Sequence, residues 1–507
     1  MQTTNDMLAS DFATLPDRIA AHARERGTRT ALADAGDAID YATLDRRMDR
    51  VAAALQRDGV APGAAVAIVA QASVDYATVF LGALRAGCVA TPLAPSATPE
   101  ALAAMIVDCG APIVFMDAGN AAVLADRAFG ARRVTFGDEF TAWLADDDVR
   151  PAPVEIAPGD PFNIIYSSGT TGTPKGIVQS HAMRWAHIAR NAAAGFGEAV
   201  TMVATPLYSN TTLVSFLPTL GWGGSAVLMG KFDARGFLTL AERHRATHAM
   251  LVPVQYQRIM ALPDFDTFDL SSFRFKTSTS APFSAALKAD VLARWPGMLV
   301  EFYGMTEGGA SCVLIASAFP DKLHTVGQPL AEHEIRLIDE DGIEVPKGEM
   351  GEVVGRSPTM MTGYHGREGA TRDAEWFDAE GRRYIRHGDV GRFDADGFLI
   401  LMDRKKDLII SGGFNIYPSD LEAVLARHPA VADCAVVGVP SDAWGETPVG
   451  FYVARAEAED AEVLTWTNAQ LGKTQRLAAL HRVDELPRNA IGKVLKRELR
   501  YRLGAMA

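Results

Sequence analysis

Apolar residues recur at helical spacing in Leu44, Met48, Val51, Ala52 and Leu55, stop before Gly59, and give way to the unbroken run Ala65 to Ala70. The first pattern predicts an amphipathic helix, the second a buried strand. Val74 to Ala86 then predicts a helix ended by Gly87, and Cys88 to Leu93 a further strand. Thr98-Pro99 supplies an N-cap and a first-turn proline for the next helix, and Pro112 to Met116 reads as another strand. Strands alternating with helices predict a largely parallel sheet with helices on its faces. The most apolar passage, Ala64 to Pro95, is interrupted by Asp75, Arg85 and several glycines, so it reads as strand-helix-strand and not as a membrane span.

Near residue 340 the texture changes to short segments punctuated by Gly342, Gly348, Gly351, Gly355, Gly363, Gly381, Gly391 and Gly397, which predicts turns between antiparallel strands. The charged run Asp403 to Asp407 marks a boundary. A small α+β unit follows, in which Ser419-x-x-Glu422 predicts a capping box opening a helix with Leu421, Val424 and Leu425 inward. Strands are expected at 433–439 and 449–454. The expected fold is α/β, with a large unit over 1–403, a connection at 404–407 and a small unit over 408–507. No repeat at a fixed period and no low-complexity tract is present.

A chain of 507 residues, 48% hydrophobic and 22% charged, can bury substantial cores. Its net charge of −13 argues against a nucleic-acid scaffold, because phosphate backbones are held by basic surfaces. Cys88, Cys109, Cys312 and Cys434 are widely separated without Cys-x-x-Cys, which indicates core thiols in a reducing compartment. Met1 to Leu15 lacks a basic stretch followed by an apolar core, so export is not expected and a cytoplasmic location is.

Candidate chemistry concentrates in a few loops. Tyr166-Ser167-Ser168-Gly169-Thr170-Thr171-Gly172-Thr173-Pro174-Lys175-Gly176 follows the apolar Phe162 to Ile165 and combines five Ser/Thr hydroxyls, three glycines and one lysine. Glycines let the backbone approach a ligand, and amides, hydroxyls and an ammonium donate to anionic oxygens, so this is a phosphate-holding loop. It is neither a Walker loop, because Pro174 stands where that motif needs its glycine, nor a dinucleotide Gly-x-Gly-x-x-Gly turn. Glu301 to Gly309 places an aromatic ring, a hydroxyl and a carboxylate around glycines, which suits base stacking, phosphate contact and metal binding. His387-Gly388-Asp389 offers a carboxylate for ribose hydroxyls, and Pro487 to Lys493 ends with a lysine after a glycine.

The order of these motifs, with Gly412-Gly413-Phe414-Asn415 between the last two, resembles the adenylate-forming superfamily over about residues 31–499. That superfamily includes acyl-CoA synthetases, peptide-synthetase adenylation domains and firefly luciferase. The resemblance implies a large N-terminal domain of stacked α/β sheets and a β-barrel, closed over by a small mobile C-terminal domain. It implies an AMP-forming carboxylic acid:CoA ligase that uses ATP, Mg2+ and coenzyme A. On its terms Ser167, Ser168, Gly169, Thr170, Thr171, Gly172 and Lys175 embrace the β- and γ-phosphates, while Glu307 helps hold Mg2+ and Thr306 touches the α-phosphate. Tyr303 and Gly304 meet adenine, Glu301 accepts from its amino group, and Asp389 and Arg404 grip the ribose. Lys493 bridges acyl carboxylate and α-phosphate. Lys406 matches the hinge about which the small domain rotates, and Gly412 and Gly413 line a channel for the pantetheine arm. Lys493 also resembles a lysine that protein acetyltransferases silence.

Pro206 to Thr212 lacks the aspartate that amino-acid-activating members use for the ammonium, so amino-acid activation is disfavoured. Ser209 stands where many aryl- and fatty-acid relatives have histidine, and His387 replaces a threonine common before Gly-Asp. The acyl pocket is expected to be lined by Tyr208, Ser209, Ser280, Ala281, Met305, Gly308 and Gly309, whose small side chains imply room for an aromatic or arylpropenoic acid. Alternatives are a medium-chain fatty acid:CoA ligase, a stand-alone enzyme loading an acyl carrier protein, a non-catalytic ATP sensor and a luciferase-like oxidative role.

Overall fold

The computed structural model describes the chain except residues 1–3, 9, 168–174, 191–193, 405–406, 412–413, 442–443, 473–474, 490–491 and 507, and describes the backbone alone at 5–6, 167, 403–404, 414–415 and 504–506. Four sheets organise these residues. The first has the strand order Gly363–Tyr364, Lys175–Ser180, Pro161–Ser167, Val89–Pro92, Ala65–Val69, Ile113–Met116, Arg132–Thr135. From Pro161–Ser167 onward its neighbours are parallel, as the strand-helix alternation predicts. The Tyr41–Arg57 helix buries Leu44, Met48, Val51, Ala52 and Leu55. It meets the Val74–Arg85 helix so closely that a Cβ on Gly82 would lie 2.5 Å from Val51 Cβ. Ser73 caps Val74–Arg85 and Thr98 caps Pro99–Asp108, each hydroxyl accepting a first-turn N–H.

The second sheet has nine strands. Six of them, Thr30–Ala33, Ser225–Leu228, Val200–Val203, His248–Leu251, Phe275–Ser278 and Met298–Met305, run parallel. Their carboxyl ends therefore share one edge, where open α/β sheets hold ligands. The third sheet is antiparallel and comprises Glu334–Ile338, Gly351–Arg356, Arg383–Phe393, Glu375–Phe377 and Leu399–Arg404.

The fourth sheet draws its five strands from Ile409 onward. The strands expected at 433–439 and 449–454 are longer, Val431–Ser441 and Gly445–Ala454, because they pair along one antiparallel ladder down to Ser441 opposite Gly445. The capping box does not form. Pro418, with its fixed φ, starts the helix Pro418–Leu425 two residues earlier than that box requires, with Tyr417 at the N-cap. Ser419 Oγ instead donates to the Met402 carbonyl, and Glu422 accepts the Val436 N–H at 2.8 Å and pairs with Lys496 at 2.9 Å. Among the described residues no helix is long and apolar enough to cross a membrane.

Candidate active site

After Met298–Met305 the chain turns at Thr306-Glu307 and returns as Gly308–Ile315, so the turn projects from the carboxyl edge of the parallel strands. Three contacts fix it, two from strands of the first sheet and one from the segment just before Gly363–Tyr364. Gln179 Nε2 donates to the Thr306 carbonyl at 2.7 Å, the Met361 N–H donates to the Glu307 carbonyl at 2.8 Å, and the Tyr364 hydroxyl donates to Glu307 Oε1 at 2.9 Å. Because Gly363–Tyr364 pairs with Lys175–Ser180, Lys175 Nζ lies 5.0 Å from the centre of the Tyr364 ring. One phenol thus sits between a cation over its face and a carboxylate at its hydroxyl. Burial, and then the Glu307 charge, push the Tyr364 pKa well up, so it remains a donor.

A second constellation joins the Met298–Met305 strand to the third sheet. The Tyr303 hydroxyl donates to Asp389 Oδ2 at 2.8 Å and meets His387 Nδ1 at 3.0 Å, while His387 Nε2 faces the Ala310 N–H at 3.4 Å. Since Nε2 accepts from an amide, Nδ1 carries the imidazole proton and donates to the Tyr303 oxygen. The polarity then runs one way, from amide through imidazole and phenol to carboxylate. Asp389 lies directly opposite Arg404 in the antiparallel ladder.

A third group surrounds the N-terminus of the helix Asn210–Trp222. Ser209 is its N-cap, accepting the Thr211 N–H at 3.3 Å, and Thr211 Oγ1 shares a hydrogen bond with Ser280 Oγ. Ser280 holds φ +81, a left-handed conformation that a non-glycine residue adopts only when its surroundings impose it. Behind them Arg184, 1% exposed, donates to Asn163 Oδ1 and Asn210 Oδ1 at 2.9 Å each and to Gln179 Oε1. Gln179 therefore ties this buried guanidinium to the Thr306 turn.

The C-terminal unit reaches the same edge. Gly492, with φ +76, approaches the large unit so closely that a Cβ would lie 2.6 Å from Val254 Cγ1, just beyond the carboxyl end of His248–Leu251. Lys493 follows it, its N–H held by Asn489 Oδ1 at 2.8 Å.

Residues 19–365 match the AMP-binding enzyme family and residues 420–493 the AMP-binding enzyme C-terminal domain. The chain belongs to the AMP-binding enzyme family. It is similar to a feruloyl-CoA synthase of Amycolatopsis sp, 34% identical over 94% of this chain and 96% of that one. It is also similar to the fatty acid--[acyl-carrier-protein] ligase ScoC of Streptomyces coeruleorubidus, 31% identical over 96% of each. Among solved structures, ATP-bound MatB from Rhodopseudomonas palustris superposes with a TM-score of 0.85 at 30% identity, over 97% of this chain and 100% of that one.

In this AMP-binding enzyme the fold brings Lys175, Thr306 and Glu307 together, pairs Tyr303 with Asp389, sets Arg404 opposite Asp389 and gathers Ser209 with Ser280. Ala281 follows Ser280, and half-buried Tyr208 precedes Ser209. Ser168, Gly169, Thr170, Thr171, Gly172, Lys406, Gly412 and Gly413 lie outside the described residues, and Ser167 and Arg404 are described by backbone alone.

Some expectations need correction. Glu301 does not face a nucleotide: it is 4% exposed and ion-paired with buried Lys288, which also donates to the Leu323 and Thr325 carbonyls. The glycines do not leave open volume either. A Cβ on Gly308 would lie 1.9 Å from the Thr359 carbonyl oxygen, one on Gly309 2.7 Å from His387 Nε2, and one on Gly304 2.9 Å from Ser311 Oγ. They mark close approach of neighbouring groups, and Met305 packs in the cluster of Ile177, Met361 and Ile385. The four cysteines are free thiols, and burial pushes Cys88 up to about 12 and Cys109 up to about 11, so neither is poised as a nucleophile.

Sequence reading missed Tyr364, Gln179 and Arg184, and gave His387 no role of its own. Tyr364 sits in a two-residue strand with no periodic signal. Gln179 and Arg184 look like ordinary polar positions of a strand and a helix, so nothing local marks them.

Proposed function

We propose that this protein is an AMP-forming ligase that joins an aromatic or arylpropenoic acid to coenzyme A. The observation that carries the reading is the convergence of Lys175, Tyr364 and Glu307 at the same sheet edge against which Gly492 docks the Lys493 loop. In the first half-reaction a carboxylate oxygen attacks the α-phosphorus of ATP and pyrophosphate leaves; in the second a thiol sulfur attacks the acyl carbon, AMP leaves and the thiol proton is released. Both first-step reactants are anions, so the barrier is largely electrostatic and is lowered by fixed cations and donors. Lys175 and the hydroxyls of the 167–176 loop meet the leaving phosphates, Thr306 the α-phosphate, and Lys493 the forming acyl-phosphate oxygens. Tyr303 stacks on adenine, and Asp389 with Arg404 holds the ribose.

Glu307 fits a magnesium site: it is a single oriented carboxylate, and Mg2+ is typically held by one or two carboxylates together with substrate phosphates. Bound there, the ion would neutralise phosphate charge. Rotation about Lys406 would withdraw Lys493 and bring Gly412 and Gly413 to the acyl-adenylate for entry of the pantetheine arm. The free thiols suit a cytoplasmic setting.

Pyrophosphate release across benzoates, cinnamates and fatty acids, with and without CoA and with Lys493→Ala as control, tests this. A CoA-dependent signal on aromatic acids, lost in the variant, is expected; silence with every acid overturns it. The likeness to the carrier-protein ligase supports a second reading, which release without CoA turnover, together with acylation of a carrier protein, would favour. Acylation of Lys493 by a protein acetyltransferase would remove its charge, so an acetylated preparation should lose adenylation; full activity of that preparation sinks the regulatory assignment.

A further inference from the structure

The phosphate loop leaves the first sheet at the rung that sets Ser167 opposite Lys175, and the rung before it sets Tyr166 opposite Gly176. Neighbouring positions on a strand point to opposite faces, so these two rungs face opposite ways. Lys175 shares the face of Ile177 and Tyr364, which belong with Met361 and Ile385 to one apolar cluster. Tyr166 points to the other face and packs on the cluster that includes Met105 and Ile164. There its hydroxyl donates to Asp108 Oδ2 at 2.6 Å, and Arg367 Nη2 donates to Asp108 Oδ1 at 3.1 Å. Burial, and then the bond to Asp108, push the Tyr166 pKa well up, so it remains a donor. Asp108 is the last residue of the helix Pro99–Asp108, where its charge meets the negative end of the helix dipole. A phenol on one oxygen and a guanidinium on the other offset that cost.

Arg367 stands three residues beyond Tyr364, and the segment between them wraps the edge of the sheet, with Tyr364 on one face and Arg367 reaching the other. Hydrogen bonds hold the wrap. The His365 N–H donates to the Gly176 carbonyl at 2.7 Å, the Arg367 N–H to the Tyr364 carbonyl at 3.1 Å, and the Tyr364 N–H to Thr371 Oγ1 at 2.9 Å. Three segments converge on Gly176, where a Cβ would lie 2.8 Å from Ile164 Cγ2, 3.2 Å from Tyr166 Cζ and 3.3 Å from His365 Cβ. Packed this closely, a displacement of Tyr166 or of residues 365–367 is passed to the strand that carries Lys175.

We propose that Tyr166, Asp108 and Arg367 are positioning residues that latch the stem of the phosphate loop from the face opposite Lys175, and so hold Lys175 and, through Tyr364, Glu307 in place for adenylation. The inference rests on the ligase reading and adds to it three residues that act through others and not on ATP itself. Their influence belongs to the first half-reaction, because the phosphates assigned to this loop have left as pyrophosphate before the thiol attacks.

Pyrophosphate release with ATP varied, and thioester formation from a synthetic acyl-adenylate and CoA, separate the two steps. Asp108→Asn should lower kcat/KM for ATP in the first step by about 10-fold, the size of a charge-assisted contact, mainly through KM. The second step should keep the rate of the unsubstituted protein. Tyr166→Phe keeps the packed ring and removes only the hydroxyl; it should act in the same direction and carries the test if Asp108→Asn does not fold. Arg367→Lys should recover part of what Arg367→Gln loses, and Asp108→Asn combined with Arg367→Gln should lose less than the product of the single losses. An unchanged dependence on ATP, or equal loss in both steps, overturns the latch while leaving the ligase intact. If the unsubstituted protein releases no pyrophosphate with any acid the ligase reading fails, and calorimetry with ATP and Mg2+ decides the latch by itself. Weaker ATP binding by Tyr166→Phe than by the unsubstituted protein supports it; equal binding, or none by either, refutes it.

Discussion

At the scale of single residues, the hydroxyl of Tyr364 is the link whose loss is easiest to isolate. Tyr364→Phe keeps the ring beneath Lys175 and removes only the donor to Glu307 Oε1. Pyrophosphate release should fall by about 10-fold, the size of one oriented hydrogen bond to a charged group, with little change in melting temperature; an unchanged rate would show that Glu307 needs no such support. Gly308 tests a different point. Its φ of +85 and the 1.9 Å approach of the Thr359 carbonyl leave no space for a methyl group, so Gly308→Ala should cost more than about 2 kcal/mol in urea unfolding. Near-wild-type stability with a smaller preferred acid would restore the view that this glycine opens the acyl pocket. The His387 imidazole illustrates how sequence misleads at this scale: between Ala310 and Tyr303 it is a relay member, while in the sequence it is one residue before a glycine.

At the scale of elements, local rules worked where an element's own residues determine it. The helix Pro99–Asp108 follows its Thr98 signal, because a cap satisfies first-turn amides with nothing from elsewhere. The rule failed at Ser419, where a proline one residue earlier and the Met402 carbonyl claimed both the helix start and the hydroxyl. The contact between Gly492 and Val254 gives an element-level prediction. Gly492→Val should prop the C-terminal loop off the large unit and slow adenylation about 10-fold or more by misplacing Lys493, since small displacements of a positioned group are costly. Thioester formation from a synthetic acyl-adenylate should change far less. Equal loss in both half-reactions would contradict the division of labour assigned to this loop.

At the scale of the whole molecule, buried histidines set an acid limit on stability. His22, which faces the Gly221 carbonyl at 3.0 Å, and His181, packed edge-on against Phe162, are both depressed from 6.5 to about 4, chiefly by burial. The unfolded chain takes up a proton near pH 6.5 while the folded one resists until about pH 4. Stability is therefore complete above pH 6.5 and declines as the pH falls through that window, by at most roughly 3 kcal/mol per histidine. Urea midpoints measured from pH 7.5 to 4 should fall accordingly, and His181→Phe should flatten part of the slope; a flat profile in the unsubstituted protein would refute the assignment. The sequence by itself determined the alternation of strands and helices and the glycine-turned antiparallel region, because periodicity, caps and turn residues act over a few positions. The tertiary structure alone decided that Tyr364 stands between Lys175 and Glu307, that Glu301 belongs to an internal ion pair, and that the glycines near the turn are filled by neighbours. Each of these depends on which distant segments meet, and burial and charge pairing are properties of that meeting, not of any local run of residues.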